Sequence, residues 1–192
     1  GKFDAWTFAS TLSRTLEAED SPFHKLIKIS GKKGGKIPRN SIMNPYKKMY
    51  DDPSSFIGSK VTEGKFIGDM DELALDVKNY WIAVEDVFSS SWIPDMKKSR
   101  IMHGCALYAL AFLHNSIING NNGRYMSLEG YKDELKVVQP HCHWTPEDGD
   151  WKNMRLFDPS GDERWDFYEN TEKSKKLLTG YLIRNYRENR YG

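Results

Sequence analysis

Residues 98–119 read KSRIMHGCALYALAFLHNSIIN, and this stretch decides the fold. Ile101, Met102, Cys105, Leu107, Leu110, Leu113 and Ile117 leave it no polar face, a pattern an α-helix tolerates only where protein surrounds it. The run predicts a buried central helix from about Lys98 to Asn119, ended by Asn119-Gly120-Asn121-Asn122-Gly123, residues that accept left-handed backbone. Such a helix needs amphipathic neighbours. Leu73, Val77, Tyr80, Trp81, Val84 and Phe88 fall on one helical face, and Asp69 with Glu72 has the spacing of a cap, so a second helix starts near 70 and is limited by Pro94. Trp6, Ala9, Leu12 and Leu16 mark a helix over 4–18 that ends near Asp20-Ser21-Pro22. Further helices are expected over Leu128–Val138 and from about Trp165 to Arg187.

Between these lie shorter elements. Leu26-Ile27-Lys28-Ile29 and Lys36-Ile37-Pro38 flank Gly31 and Gly34-Gly35, which predicts a small hairpin. Asn40 or Ser41 can cap a short helix through Tyr50, with Pro45 expected to confine it to an early turn or to break it, and residues 51–68 read as loop. The expected fold is therefore mainly α: one domain over residues 1–192, five or six helices with a small β-hairpin.

With 39% hydrophobic and 29% charged residues, the 192-residue chain has material for one core and does not belong among disordered chains. It holds no apolar run of membrane-spanning length and no signal-peptide start, and its two cysteines, Cys105 and Cys142, suit a reducing compartment, so a cytoplasmic location is expected. A chain opening on Gly1 reads as part of a longer protein or as one left with a glycine after tag removal.

The net charge of +1 hides strong segregation. Ser21 to Tyr50 contains no acid, while Lys25, Lys28, Lys32, Lys33 and Lys36 are followed by Arg39, Lys47 and Lys48. Lysines among glycines approach phosphates closely, so these eight cations are the expected nucleic-acid contacts, against the plainer reading of a solvated face. Tyr46 and Tyr50 either stack on bases or staple their helix to the core. The segment Trp144 to Glu172 is acidic and rich in aromatics, which motivates the alternative of a protein-interaction or scaffold domain with no nucleic-acid contact.

Other constellations are weak. His141-Cys142-His143 with His103 and Cys105 is the one cluster of metal-ligand types, but residues two apart on a helix point about 200° from each other, and the spacing matches no structural zinc pattern. No metal and no cofactor is expected. Cys105 is expected to be buried and inert, and Cys142, between histidines on a loop, to react with thiol reagents. Glu147-Asp148-Gly149-Asp150 lacks EF-hand spacing and reads as a solvated turn. Trp144, Trp151 and Trp165 are expected to be anchors. No Walker loop, dinucleotide fingerprint or nucleophile elbow is present, so no catalytic residue is assigned and enzymes of those kinds are disfavoured.

Three groups of short anchors carry a resemblance. They are Glu19-Asp20-Ser21-Pro22-Phe23 leading into Lys25-Leu26-Ile27-Lys28-Ile29, then Ser99-Arg100-Ile101-Met102-His103-Gly104, then Trp151, Trp165, Glu169-Asn170-Thr171 and Leu177 to Tyr186. Together they resemble the helical C-terminal part of DGQHR-domain proteins, which include the regulator associated with DNA phosphorothioation islands. The Asp-Gly-Gln-His-Arg signature itself is absent. The resemblance implies a bacterial cytoplasmic protein tied to DNA modification, its transcriptional regulation or phage defence, with partners among DNA and the proteins of such a system. It assigns no catalytic residue.

Overall fold

The computed structural model describes residues 2–152 and 163–192. Their order is α1 (Lys2–Glu17), α2 (Arg39–Tyr50), β1 (Val61–Thr62), β2 (Lys65–Phe66), α3 (Met70–Val87), α4 (Gly104–Gly120), α5 (Leu128–Val138) and α6 (Glu172–Tyr191). The mainly helical class, with one small antiparallel hairpin, is as the sequence predicts. Arg155, Asp158 and Asp162 of the acidic segment lie outside the described residues.

Helix α4 is the apolar stretch, and it is enclosed: α6 and α2 pack along it, α3 pairs with α5, and α1 covers α2 and α3. Cys105 through Ala111 are buried without interruption. It starts later than the pattern suggests because Lys98–His103 bonds elsewhere, with the Ser99 hydroxyl on the Ser91 carbonyl and Arg100 N–H on the Trp144 carbonyl at 2.8 Å. A side chain at Gly104 would also come within 2.7 Å of the Asn170 amide. Helix α3 begins where predicted: Asp69 Oδ1 accepts from the N–H groups of Asp71 and Glu72 at 2.9 and 3.0 Å. Its face of Leu73, Val77, Tyr80, Trp81 and Val84 is buried.

One polar group of α4 is fully enclosed. His114 Nε2 lies 3.1 Å from Asp76 Oδ2 of α3 and 3.1 Å from the Tyr131 hydroxyl of α5, and that hydroxyl donates to Asp76 Oδ1. The Tyr80 ring stacks on the imidazole at 4.1 Å, nearly parallel, while its own hydroxyl donates to the Leu110 carbonyl. Burial, then Asp76, raises the Tyr131 phenol well above its ordinary range, so it stays a donor.

Four expectations change. The antiparallel hairpin is Val61–Thr62 with Lys65–Phe66, inside the stretch read as loop, and Glu63 and Gly64 at φ 51° and 75° make the two-residue turn that suits the strand twist. Ile27 and Ile37 instead form a single bridge of parallel sense, because the chain between them turns through left-handed Gly31, Gly34 and Gly35. Helix α2 runs through Pro45, which sits buried in its second turn; the packing of Ile42, Tyr46 and Met49 outweighs the lost backbone bond. Helix α6 starts at Glu172, where Thr171 caps Ser174 N–H at 3.2 Å, and the preceding Trp165 sits in a turn, its N–H donating to Asp150 Oδ1 at 3.1 Å.

Leu107 and Leu110 are 1% and 0% exposed at the centre of this packing. Truncating either to alanine removes transfer energy and leaves a cavity the surrounding helices cannot fill, at a cost of about 2 to 5 kcal/mol. Urea titration of each variant measures it; a loss within error of zero would contradict the central position of α4.

Candidate nucleic-acid interface

The basic stretch folds into a loop closed at its neck. Ile27 and Ile37 are buried there, and three backbone bonds tie the two arms: Lys28 N–H to the Ile37 carbonyl, and the N–H groups of Lys36 and Ile37 to the Leu26 carbonyl, all between 2.8 and 2.9 Å. Gly35 passes directly over this neck. A Cβ there would stand 2.4 Å from the Ile27 carbonyl oxygen, and its φ of 74° is left-handed, so only glycine fits. Beyond the neck, Lys28, Lys32, Lys33, Gly34 and Lys36 are exposed, as is Lys25 just before it. Among the described residues none of these five lysines enters an ion pair.

The eight predicted contacts do not form one track. Lys25, Lys32 and Lys33 line a cleft of about 500 Å³ together with His24, Ile29 and Gly34. Lys28 and Lys36 stand on the same loop outside it. Arg39 turns inward, with Nε 2.9 Å from both Ser13 Oγ and Glu17 Oε1, so it is bound to α1. Lys47 and Lys48 line a separate, smaller recess beside α4 and α6, where Lys48 Nζ meets Glu172 at 3.0 Å and the Tyr108 hydroxyl at 3.3 Å. The hydrogen bond to Glu172 raises the Lys48 ammonium above its ordinary pKa and holds the Glu172 carboxyl below its own. Tyr46 and Tyr50 staple α2 to the core: Tyr46 accepts from Trp81 Nε1 at 2.7 Å, and Tyr50 donates to the Gly64 carbonyl at 2.6 Å. Sequence reading missed His24 and Ile29 as cleft walls. Ile29, half-buried between lysines and outside the core, is the residue whose apolar character had no other explanation.

The histidine and cysteine residues serve the fold. His143 Nδ1 donates to the Asp148 carbonyl at 2.7 Å, and His141 gives its carbonyl to the Tyr181 hydroxyl at 3.1 Å. No three metal-ligating side chains converge among the described residues. Asp148 is half of a capping box with Thr145 and accepts the Trp144 and Thr145 N–H groups at 3.1 Å, while Glu147 and Asp148 are exposed, so the turn is solvated as expected and held by its own hydrogen bonds. Trp144 and Trp151 anchor as expected, each 1% exposed and 5.3 Å apart edge to face, and Trp165 supplies its carbonyl to Trp151 Nε1.

Cys142 contradicts its expectation. It is 6% exposed, and its thiol donates to the Val138 carbonyl at 3.4 Å, because the short turn Gln139–His141 tucks it under the end of α5. Burial raises both thiols, Cys105 to about 12. Neither cysteine should react with a thiol reagent in the native protein at neutral pH, whereas both should react after denaturation; rapid native labelling of Cys142, read by mass spectrometry, would refute its burial.

Burial, then the Arg100 guanidinium and the Lys175 ammonium, lowers the His103 imidazole from 6.5 to about 4. The unfolded chain binds its proton near 6.5, so His103 contributes stability above that pH which is lost as pH falls through about 4. The urea midpoint should fall more steeply across this window for the wild type than for His103→Gln; parallel curves would show that His103 is not held neutral.

No family model, curated protein or solved structure matches the chain.

Proposed function

We propose that this chain is a DNA-associated regulatory or defence module of bacterial DNA-modification loci, working in the cytoplasm and contacting nucleic acid through the loop of residues 25–36. The observation that carries the reading is the set of five exposed lysines without ion-pair partners among the described residues, mounted on a glycine-rich loop whose neck is fastened to the core. Phosphate contact asks for mobile cations that no intramolecular acid has neutralised, and for backbone that can approach closely. Glu17, a carboxylate on the same cleft, is engaged by Arg39 at 2.9 Å. The resemblance to DGQHR-domain proteins supplies the genetic context. No helix among the described residues is long and apolar enough to cross a membrane. Of the aromatics that motivated a scaffold reading, Trp144, Trp151 and Tyr168 are each 1% exposed and offer little surface to a partner.

Changing Lys32, Lys33 and Lys36 to Glu reverses the loop's charge without touching the core, so stability should move by no more than about 0.5 kcal/mol. The same variant should lose nucleic-acid binding at physiological salt, and each single Lys→Ala change should lower the salt slope by about one. Filter retention or fluorescence anisotropy on duplex and single strands measures both. If the wild type binds neither even at low salt, the loop is a solvated face and the scaffold reading takes its place.

A further inference from the structure

A lysine track for duplex phosphates needs only a convex surface, and this loop has more. Its lysines border a recess of about 500 Å³, within the roughly 300 to 1,000 Å³ of small-molecule sites. The wall of that recess is apolar where Ile27 and Ile29 contribute, and Ile29 is half-exposed without belonging to the core cluster. Lys25, Lys32 and Lys33 stand around the opening, and on the side of α1 the wall is made by the His24 imidazole, whose Nδ1 meets the Glu17 carbonyl at 3.4 Å, and by Glu17, whose Oε1 lies 2.9 Å from Arg39 Nε. Among the described residues the N–H groups of Gly34 and Gly35 have no acceptor, and a side chain at Gly34 would meet nothing within 4 Å, so this backbone is open to a ligand. Apolar wall, cationic rim and free N–H donors are complementary to a flat base joined to a phosphate. A paired base in a duplex has both faces stacked and offers neither to such a wall.

The geometry points to a pocket for one unpaired nucleotide, its base against Ile27 and Ile29 and its phosphate among Lys25, Lys32 and Lys33. This rests on the nucleic-acid reading above and narrows it from a backbone track to a site for single-stranded or extrahelical nucleotides. Base contact is sequence-tolerant when it is made through the face of the ring.

Three probes separate the possibilities: a labelled oligothymidylate strand, a closed dumbbell duplex with no free end, and the same dumbbell carrying one unpaired thymidine. Anisotropy at fixed ionic strength should show the strand and the bulged dumbbell bound about tenfold more tightly than the closed one, the scale of covering about 50 Å² of apolar surface on one base. Thymidine monophosphate should compete, and inorganic phosphate at equal ionic strength should not. Ile29→Ala, with its thermal midpoint unchanged, should erase the preference while leaving binding to the closed dumbbell as it was. Equal affinity for all three probes, insensitive to Ile29→Ala, overturns the pocket and leaves the phosphate track standing. Absence of binding to every probe at low salt overturns both.

Discussion

A buried imidazole facing a buried carboxylate sets the terms for this fold. His114 is 0% exposed and Asp76 4% exposed, and neither polar side chain can face the interior alone, since burying a polar group without a partner costs free energy. Each is tolerable because the other stands beside it and because the Tyr131 hydroxyl donates a hydrogen bond to Asp76 Oδ1 while lying 3.1 Å from His114 Nε2. These three groups come from α4, α3 and α5. The arrangement therefore fixes the relative rotation of three helices at one point, where apolar packing alone would leave several registers of similar energy. Tyr80, stacked on the ring and bonded to the Leu110 carbonyl, extends the constraint along α4. At the outer helices, α6 meets α5 through Tyr186 and Arg190 on Glu134, and the turn after α1 meets α3 through the exposed pair Asp20–Lys78.

Much of the helical frame was legible because burial imposes a period. The face of α3 and the full span of α5 follow from spacing and a cap residue, and the enclosure of α4 follows from its lack of a polar side. What escaped depends on partners remote in sequence. Lys98–His103 continues the apolar pattern but is drawn out of the helix by Ser91 and Trp144, and Trp165 is drawn out of α6 by Asp150. Pro45 obeys its local rule only in the absence of tertiary packing. The hairpin of residues 61–66 is too short for alternation to register, and its Glu63-Gly64 turn was its sole signal.

The candidate site divides along the same line. Positive charge from Lys25 to Lys36 is a composition fact and needs no coordinates. That Arg39 belongs to Glu17, and Lys48 to Glu172, depends on helices meeting across long stretches of chain, so a sequence cannot separate these structural cations from the free ones. Cys142 illustrates the converse: its polar neighbours suggested a loop thiol, yet the backbone turn that follows α5 places it inside.

The neck formed by Ile27, Ile37 and the overpassing Gly35 has an evolutionary consequence. Everything beyond it is joined to the helical body through one buried pair and three backbone bonds, so mutual repulsion among the lysines is confined to a segment that carries little of the global stability. Residues 29–34 are therefore free to drift or lengthen, and the side chains of Lys28 and Lys36 to exchange charge, under selection for a ligand, while the helices see only whether the neck still closes. A scaffold with such an insulated appendage can change what it recognises without first becoming more stable.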